Sequence, residues 1–161
     1  EERIEASAAD WLTVRTSWLF ASHGNNFVRT MLRLGRERDE IKVVSDQFGS
    51  PTWTRDLALA LCKLIRGDVK NYIHFGGLNS CSWFELANYT LKQAHQIGLI
   101  QTLPVVTSIQ TNQYPLPAPR PAYSVLSTQR YQELTGSLPM KWEEAVDSVL
   151  QRLQEKSQDE R

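Results

Sequence analysis

Trp11-Leu-Thr-Val-Arg-Thr-Ser-Trp-Leu19 sets Leu12, Val14, Thr16 and Trp18 on one face of an extended chain. That two-residue period predicts a strand. Ala21 to Asn25 reads as a turn with Gly24 as its flexible point. Asn25 or Asn26 then caps a helix to about Arg38. Phe27, Met31 and Leu34 form its inner stripe, Val28 and Leu32 lie beside them, and Arg29, Arg33, Arg36 and Arg38 make a solvated face.

The alternation continues without an internal repeat. Ile41-Lys-Val-Val44 is a short strand, and Asp46-Gln-Phe-Gly-Ser-Pro-Thr52 a loop carrying both Gly and Pro. Thr54 caps the next helix, Asp56 suits its first turn, and Leu57, Leu61 and Leu64 point inward until Gly67 stops it. Asn71-Tyr-Ile-His-Phe75 is a strand ended by Gly76-Gly77. Ser82-Trp-Phe-Glu85 is a capping box opening a helix to Gly98. Val105 to Ile109 is a strand, and Ser127 or Thr128 opens a short helix ending at Gly136. Trp142, Ala145, Val146, Val149, Leu150 and Leu153 form the stripe of a final helix whose polar tail is expected to fray. Strands alternating with helices argue for α/β architecture. The charged, helix-like stretch from Glu1 to Ala9 reads as the end of a helix that begins elsewhere.

One stretch breaks the pattern. Tyr114-Pro-Leu-Pro-Ala-Pro-Arg-Pro-Ala-Tyr-Ser-Val-Leu126 holds four prolines and one arginine. Proline fixes φ and removes a backbone donor, so the run is neither a helix interior nor a central strand. It is a stiff segment that presets Arg120, and a preset guanidinium fork suits an anionic group such as a phosphate. The plainer alternative is a rigid connector whose arginine satisfies nearby carbonyls.

With 161 residues, 41% hydrophobic and 22% charged, the chain reads as one soluble domain with a real core. No apolar run reaches the length of a membrane span, and Glu1-Glu2-Arg3 opens no secretory signal. Eighteen basic residues balance eighteen acidic ones, which argues against a generic nucleic-acid binder. Cys62 and Cys81 are too few for a disulfide framework and read as thiols of a reducing compartment. His23, His74 and His95 share no zinc motif.

No complete catalytic set is present: no Gly-rich dinucleotide loop, no Walker lysine, no nucleophile elbow and no Tyr-x-x-x-Lys pair. Binding-type residues remain. Trp18 ends a strand, where α/β sheets place ligands, and its ring could pack on a sugar or base; a core tryptophan is the alternative. Asn26 offers an amide or a plain N-cap. Gln47 could read a base edge or phosphate, or pack its loop. Tyr114 and Tyr123 flank the arginine and could line a pocket or pack as ordinary aromatics.

Val14-Arg-Thr-Ser-Trp-Leu-Phe20, Gly24-Asn-Asn-Phe27, Asp46-Gln-Phe-Gly-Ser-Pro-Thr52, Asp56-Leu-Ala58 and Tyr114-Pro-Leu-Pro-Ala-Pro-Arg-Pro121 occur in one order. Together, from about Ala9 to Leu153, they resemble the C-terminal half of the dTDP-4-dehydrorhamnose reductase family, extended short-chain dehydrogenases/reductases. The resemblance implies the last strands of a Rossmann-type sheet plus a small substrate-binding subdomain. It implies reduction of a dTDP-4-keto sugar to dTDP-L-rhamnose with NADPH or NADH, in the cytoplasm. The dinucleotide-binding portion and the catalytic Tyr and Lys would precede Glu1, so residues 1–161 would be the sugar-nucleotide-binding portion, inactive alone and with no cofactor bound. The resemblance matches Trp18 to a substrate-contacting tryptophan and Ser17 to a backbone position close to the nicotinamide. It matches Arg120 to a pyrophosphate-binding arginine, and Asn26 and Gln47 to pocket-side positions. Tyr123 departs from the asparagine of many relatives. Mg2+ bridging subunits is left open. Exposed sheet edges would favour self-association until the other half is supplied. Two other readings stand beside this one: a non-catalytic regulatory subunit similar to that of methionine adenosyltransferase, and a related nucleotide-sugar epimerase or dehydratase.

Overall fold

In the computed structural model, residues 1–7, 10–115 and 117–159 are described; the expectations for Ala8, Ala9, Leu116 and the end of the polar tail lie outside them. The chain runs α1 (Glu2–Glu5), β1 (Leu12–Arg15), β2 (Leu19–Phe20), α2 (Phe27–Glu37), β3 (Glu40–Val44), β4 (Phe48–Gly49), β5 (Thr52–Trp53) and α3 (Thr54–Arg66). It continues β6 (Asn71–His74), β7 (Cys81–Ser82), α4 (Trp83–Gln96), β8 (Val105–Ile109), a 3-10 turn at Thr111–Gln113, α5 (Gln129–Thr135) and α6 (Trp142–Asp159). The expected alternation holds. β1 pairs parallel with β6, Val14 opposite Ile73, and β3 pairs parallel with β8, Ile41 opposite Val106. Parallel partners need crossovers, and the helices supply them. Two short pairs complete the frame: β2 parallel to β5, and β4 antiparallel to β7.

The stretch from Trp11 to Leu19 is not one strand. The β1 ladder ends where the Phe75 N–H donates to the Arg15 carbonyl at 2.9 Å. Trp18 then takes a φ of 49°, in the left-handed region that non-glycine residues seldom occupy. This turn removes Trp18 from the face of Leu12 and Val14 and starts β2. The loop from Asp46 to Thr52 likewise contains β4 and the first residue of β5, two strands whose two-residue pairings depend on distant partners rather than local pattern.

Asn26 caps α2, its side chain accepting from the Arg29 N–H at 3.2 Å. The sealed face of α2 is Val28, Met31, Leu32 and Gly35, while Phe27 and Leu34, expected innermost, are half-buried. A Cβ at Gly35 would stand 2.6 Å from Leu91 Cδ2, so the glycine permits close approach of α4. Thr54 begins α3 rather than capping it; the N-cap is Trp53, held in β5, with no side-chain bond. Ala60 and Leu64 are the buried face of α3, and Leu57 and Leu61 are half-buried. The capping box at α4 is complete, with the Ser82 N–H donating to Glu85 at 2.7 Å and the Glu85 N–H to Ser82 Oγ at 3.1 Å. Gly136 ends α5 with a φ of 63°.

Two apolar cores result. The larger joins α2, α4 and α6 through Val28, Met31, Leu86, Leu91, Val146 and Val149. The smaller packs Leu64, Ile73, Phe75 and Tyr131. Cys62 is exposed, whereas Cys81 is buried and burial pushes its thiol up. No helix among the described residues is long and apolar enough to cross a membrane.

Candidate functional site

A cavity of about 890 Å³ opens between α2, β3 and the Pro-rich run, within the usual span of small-molecule sites. Phe27, Thr30, Met31 and Leu34 of α2 form one side, and Ile41 to Val44 of β3 another. Ser17, Trp18 and Trp83 form one end, Gln47 and Thr111 a polar corner. Tyr114, Pro115, Ala118 to Pro121 and Ser124 complete it.

The indoles of Trp18 and Trp83 stack with centroids 3.5 Å apart and planes 6° apart. Phe27 tilts against Trp83 at 4.6 Å. Trp18 also lies so close to β4 that a Cβ at Gly49 would stand 2.3 Å from its Cε2. An apolar aromatic end of this kind suits the face of a sugar or base.

Backbone pairing fixes the Pro-rich run. The Phe48 N–H donates to the Ala122 carbonyl at 2.8 Å, and the Ser124 N–H donates back to the Phe48 carbonyl at 2.9 Å. Ser124 Oγ donates to the same oxygen at 3.1 Å. Tyr123 is thereby bridged to Phe48, and its exposed ring stays out of the cavity, while Tyr114 lines it. Arg120, held between Pro119 and Pro121, lines the cavity and forms no ion pair among the described residues. Its fork is therefore available to an anion.

The polar corner is a relay. Gln47 Nε2 donates to Thr111 Oγ1 at 3.1 Å, and Thr111 Oγ1 donates to Asp46 Oδ1 at 2.7 Å. The Thr111 N–H also donates to Asp46, at 3.0 Å. These bonds, the hydroxyl first and the N–H second, hold the Asp46 carboxyl below the usual carboxylate range. A carboxyl depressed by folding stabilises above its unfolded pKa, and that contribution is lost as pH falls through the folded value. Thermal melts of wild type and Asp46→Ala should therefore differ near neutrality and converge in acid. A gap that persists unchanged into acid would contradict the relay.

Five of the seven residues singled out from sequence, Ser17, Trp18, Gln47, Tyr114 and Arg120, line this one cavity. Ser17 Oγ donates to the Ser50 carbonyl at 3.3 Å. Asn26 does not line it. Its Nδ2 donates to the Ala21 and His23 carbonyls at 2.9 and 3.2 Å while its Oδ1 caps α2, so the amide is spent on the turn. Sequence reasoning missed Trp83, Thr111 and Lys42 as lining residues. The capping box did place Trp83 at the first position of α4, but nothing local says which way that position faces. Among the described residues no group of three or more His, Cys, Asp or Glu is arranged to hold a metal ion.

Residues 1–155 match the RmlD substrate binding domain. The chain belongs to that family. This RmlD substrate binding domain is 41% identical over 151 residues to the spore coat polysaccharide biosynthesis protein SpsK of Bacillus subtilis strain 168, covering 94% of this chain and 50% of that protein. It is 34% identical over 158 residues to the dTDP-4-dehydrorhamnose reductase of Escherichia coli K12, covering 95% and 53%. Among solved structures, the reductase ortholog of Clostridium acetobutylicum superposes with a TM-score of 0.80 at 38% identity, over 89% of this chain and 49% of that one. The Bacillus anthracis reductase, solved with NADP, gives 0.78 at 40% identity over 88% and 48%. The α/β architecture of this domain is thus that of the extended short-chain dehydrogenase/reductase fold. The chain spans about half the length of the curated relatives it matches.

Proposed function

We propose that this RmlD substrate binding domain is the C-terminal, sugar-nucleotide-binding portion of a dTDP-4-dehydrorhamnose reductase. The supporting observation is that Trp18 and Arg120, far apart in sequence, line one cavity. In this reading the sugar packs at the aromatic end and Arg120 grips the diphosphate by charge-assisted hydrogen bonds. Gln47, oriented by Thr111 and Asp46, faces a polar group of the nucleotide, and Ser17 stands beside the place of the nicotinamide. The names of the relatives favour a reductase over a regulatory subunit or an epimerase. The SpsK name supports a role in supplying sugar for a cell-surface polysaccharide, from the cytoplasm.

NADPH or NADH would supply hydride to the keto carbon. The residues of this chain do not fit a dinucleotide site by themselves, since the sequence carries neither a phosphate-cradling Gly-rich loop nor the Tyr-x-x-x-Lys proton donor. Its own part is to bind, orient and shield the sugar. Among the described residues β1 pairs with β6 alone. That open edge supports association with a dinucleotide-binding portion or a second copy.

Calorimetric titration of dTDP-, UDP- and GDP-sugars tests the proposal. Saturable binding with dTDP-sugars tightest is expected, and no binding of any of them would overturn it. Mixed with NADPH and the dTDP-4-keto sugar, this chain alone should leave the NADPH absorbance constant. Turnover would refute the division of labour.

A further inference from the structure

We infer that Trp83 is a positioning residue that fixes the plane of Trp18 across the cavity; its value for the sugar rests on the function proposed above. The short β4–β7 pair delivers both contacts that trap Trp18. Gly49 stands opposite Cys81 in that pair and presses on the Trp18 indole, where a Cβ would come within 2.3 Å. Two residues after Cys81, Trp83 begins α4 and lays its ring on Trp18 at 3.5 Å. The Ser82–Glu85 capping box fixes the first turn of α4, and Phe27, the first residue of α2, braces Trp83 at 4.6 Å.

Trp18 needs such support. Its φ of 49° is one that local preferences disfavour, and surrounding contacts must hold it. With Trp83 stacked on the indole and Gly49 pressed against its Cε2 and Nε1, a ligand meets only the part of the ring left open to the cavity, at a set angle. Trp83 borders the same end of the cavity, and its effect on the sugar runs through the plane it gives Trp18.

The test combines NMR with titration of dTDP-L-rhamnose. In the wild-type chain the ring current of Trp83 should displace the Trp18 indole N–H resonance from its exposed position. Trp83→Ala should return it, and Trp83→Phe should keep most of the displacement. Trp83→Ala should weaken dTDP-L-rhamnose about tenfold, and Trp83→Phe only about twofold. In a Trp18→Ala background, Trp83→Ala should cost nothing further. The same loss in both backgrounds, or a Trp18 resonance indifferent to Trp83→Ala, would overturn the inference. If wild type shows the displaced resonance yet binds no dTDP-L-rhamnose, the nucleotide-sugar reading falls and the positioning of Trp18 stands.

Discussion

Arg120→Ala should weaken binding of a dTDP-sugar by about 1.5–3 kcal/mol, roughly ten- to 150-fold. The guanidinium lines the cavity, is flanked by prolines that fix its backbone, and has no anionic partner among the described residues. Its loss therefore removes a contact to ligand without orphaning a protein group. The melting temperature should stay put, because the residue is exposed. The same loss is expected for UDP- and GDP-sugars, since the arginine reads the diphosphate and not the base. Arg120→Lys should recover only part of the affinity, keeping the charge but not the fork. Equal affinity of wild type and Arg120→Ala for every diphosphate would remove the pyrophosphate role.

Gly49→Ala should be felt in both stability and affinity. The new Cβ would lie 2.3, 2.5 and 2.7 Å from Cε2, Nε1 and Cζ2 of Trp18. The clash meets a rigid ring, and Trp83 stacked at 3.5 Å blocks its retreat. Overpacking of this kind costs about 1–3 kcal/mol, and urea unfolding would read it. Because the added methyl can be accommodated only by pushing the stacked Trp18 and Trp83 rings together out of place, dTDP-sugar affinity should fall as well. Adding Trp18→Ala should restore stability without restoring affinity. A Gly49→Ala chain with native stability and native affinity would show that the indole is not held where the site requires it.

Where the sequence carried a complete local signal, the structure follows it. Val105–Ile109 is a strand at both predicted ends, because a β-branched run between turn residues leaves little choice. The Ser82–Glu85 box and Gly136 mark helix ends by their own bonding and backbone freedom. The failures have physical causes. Nothing in Thr16-Ser17-Trp18 announces a left-handed backbone, since no glycine marks it, so the strand looked continuous. β4, β5 and β7 are two residues each and exist through partners far along the chain. Phe27 and Leu34 sit on the expected apolar stripe of α2 and pack against the large core, yet they stay half-buried because they also border the cavity. At the site, Arg120 was legible from its prolines alone, but its convergence with Trp18 came from resemblance to a family. Trp83 escaped notice because the first turn of a helix does not reveal what its side chains meet.

The most direct test of the central claim is a crystal structure of this chain with dTDP-L-rhamnose. The account predicts the sugar against the Trp18 indole and the diphosphate within hydrogen-bond reach of Arg120, between α2 and the Pro-rich run. A nucleotide sugar bound elsewhere, or in this cavity with its diphosphate turned away from Arg120, would contradict it.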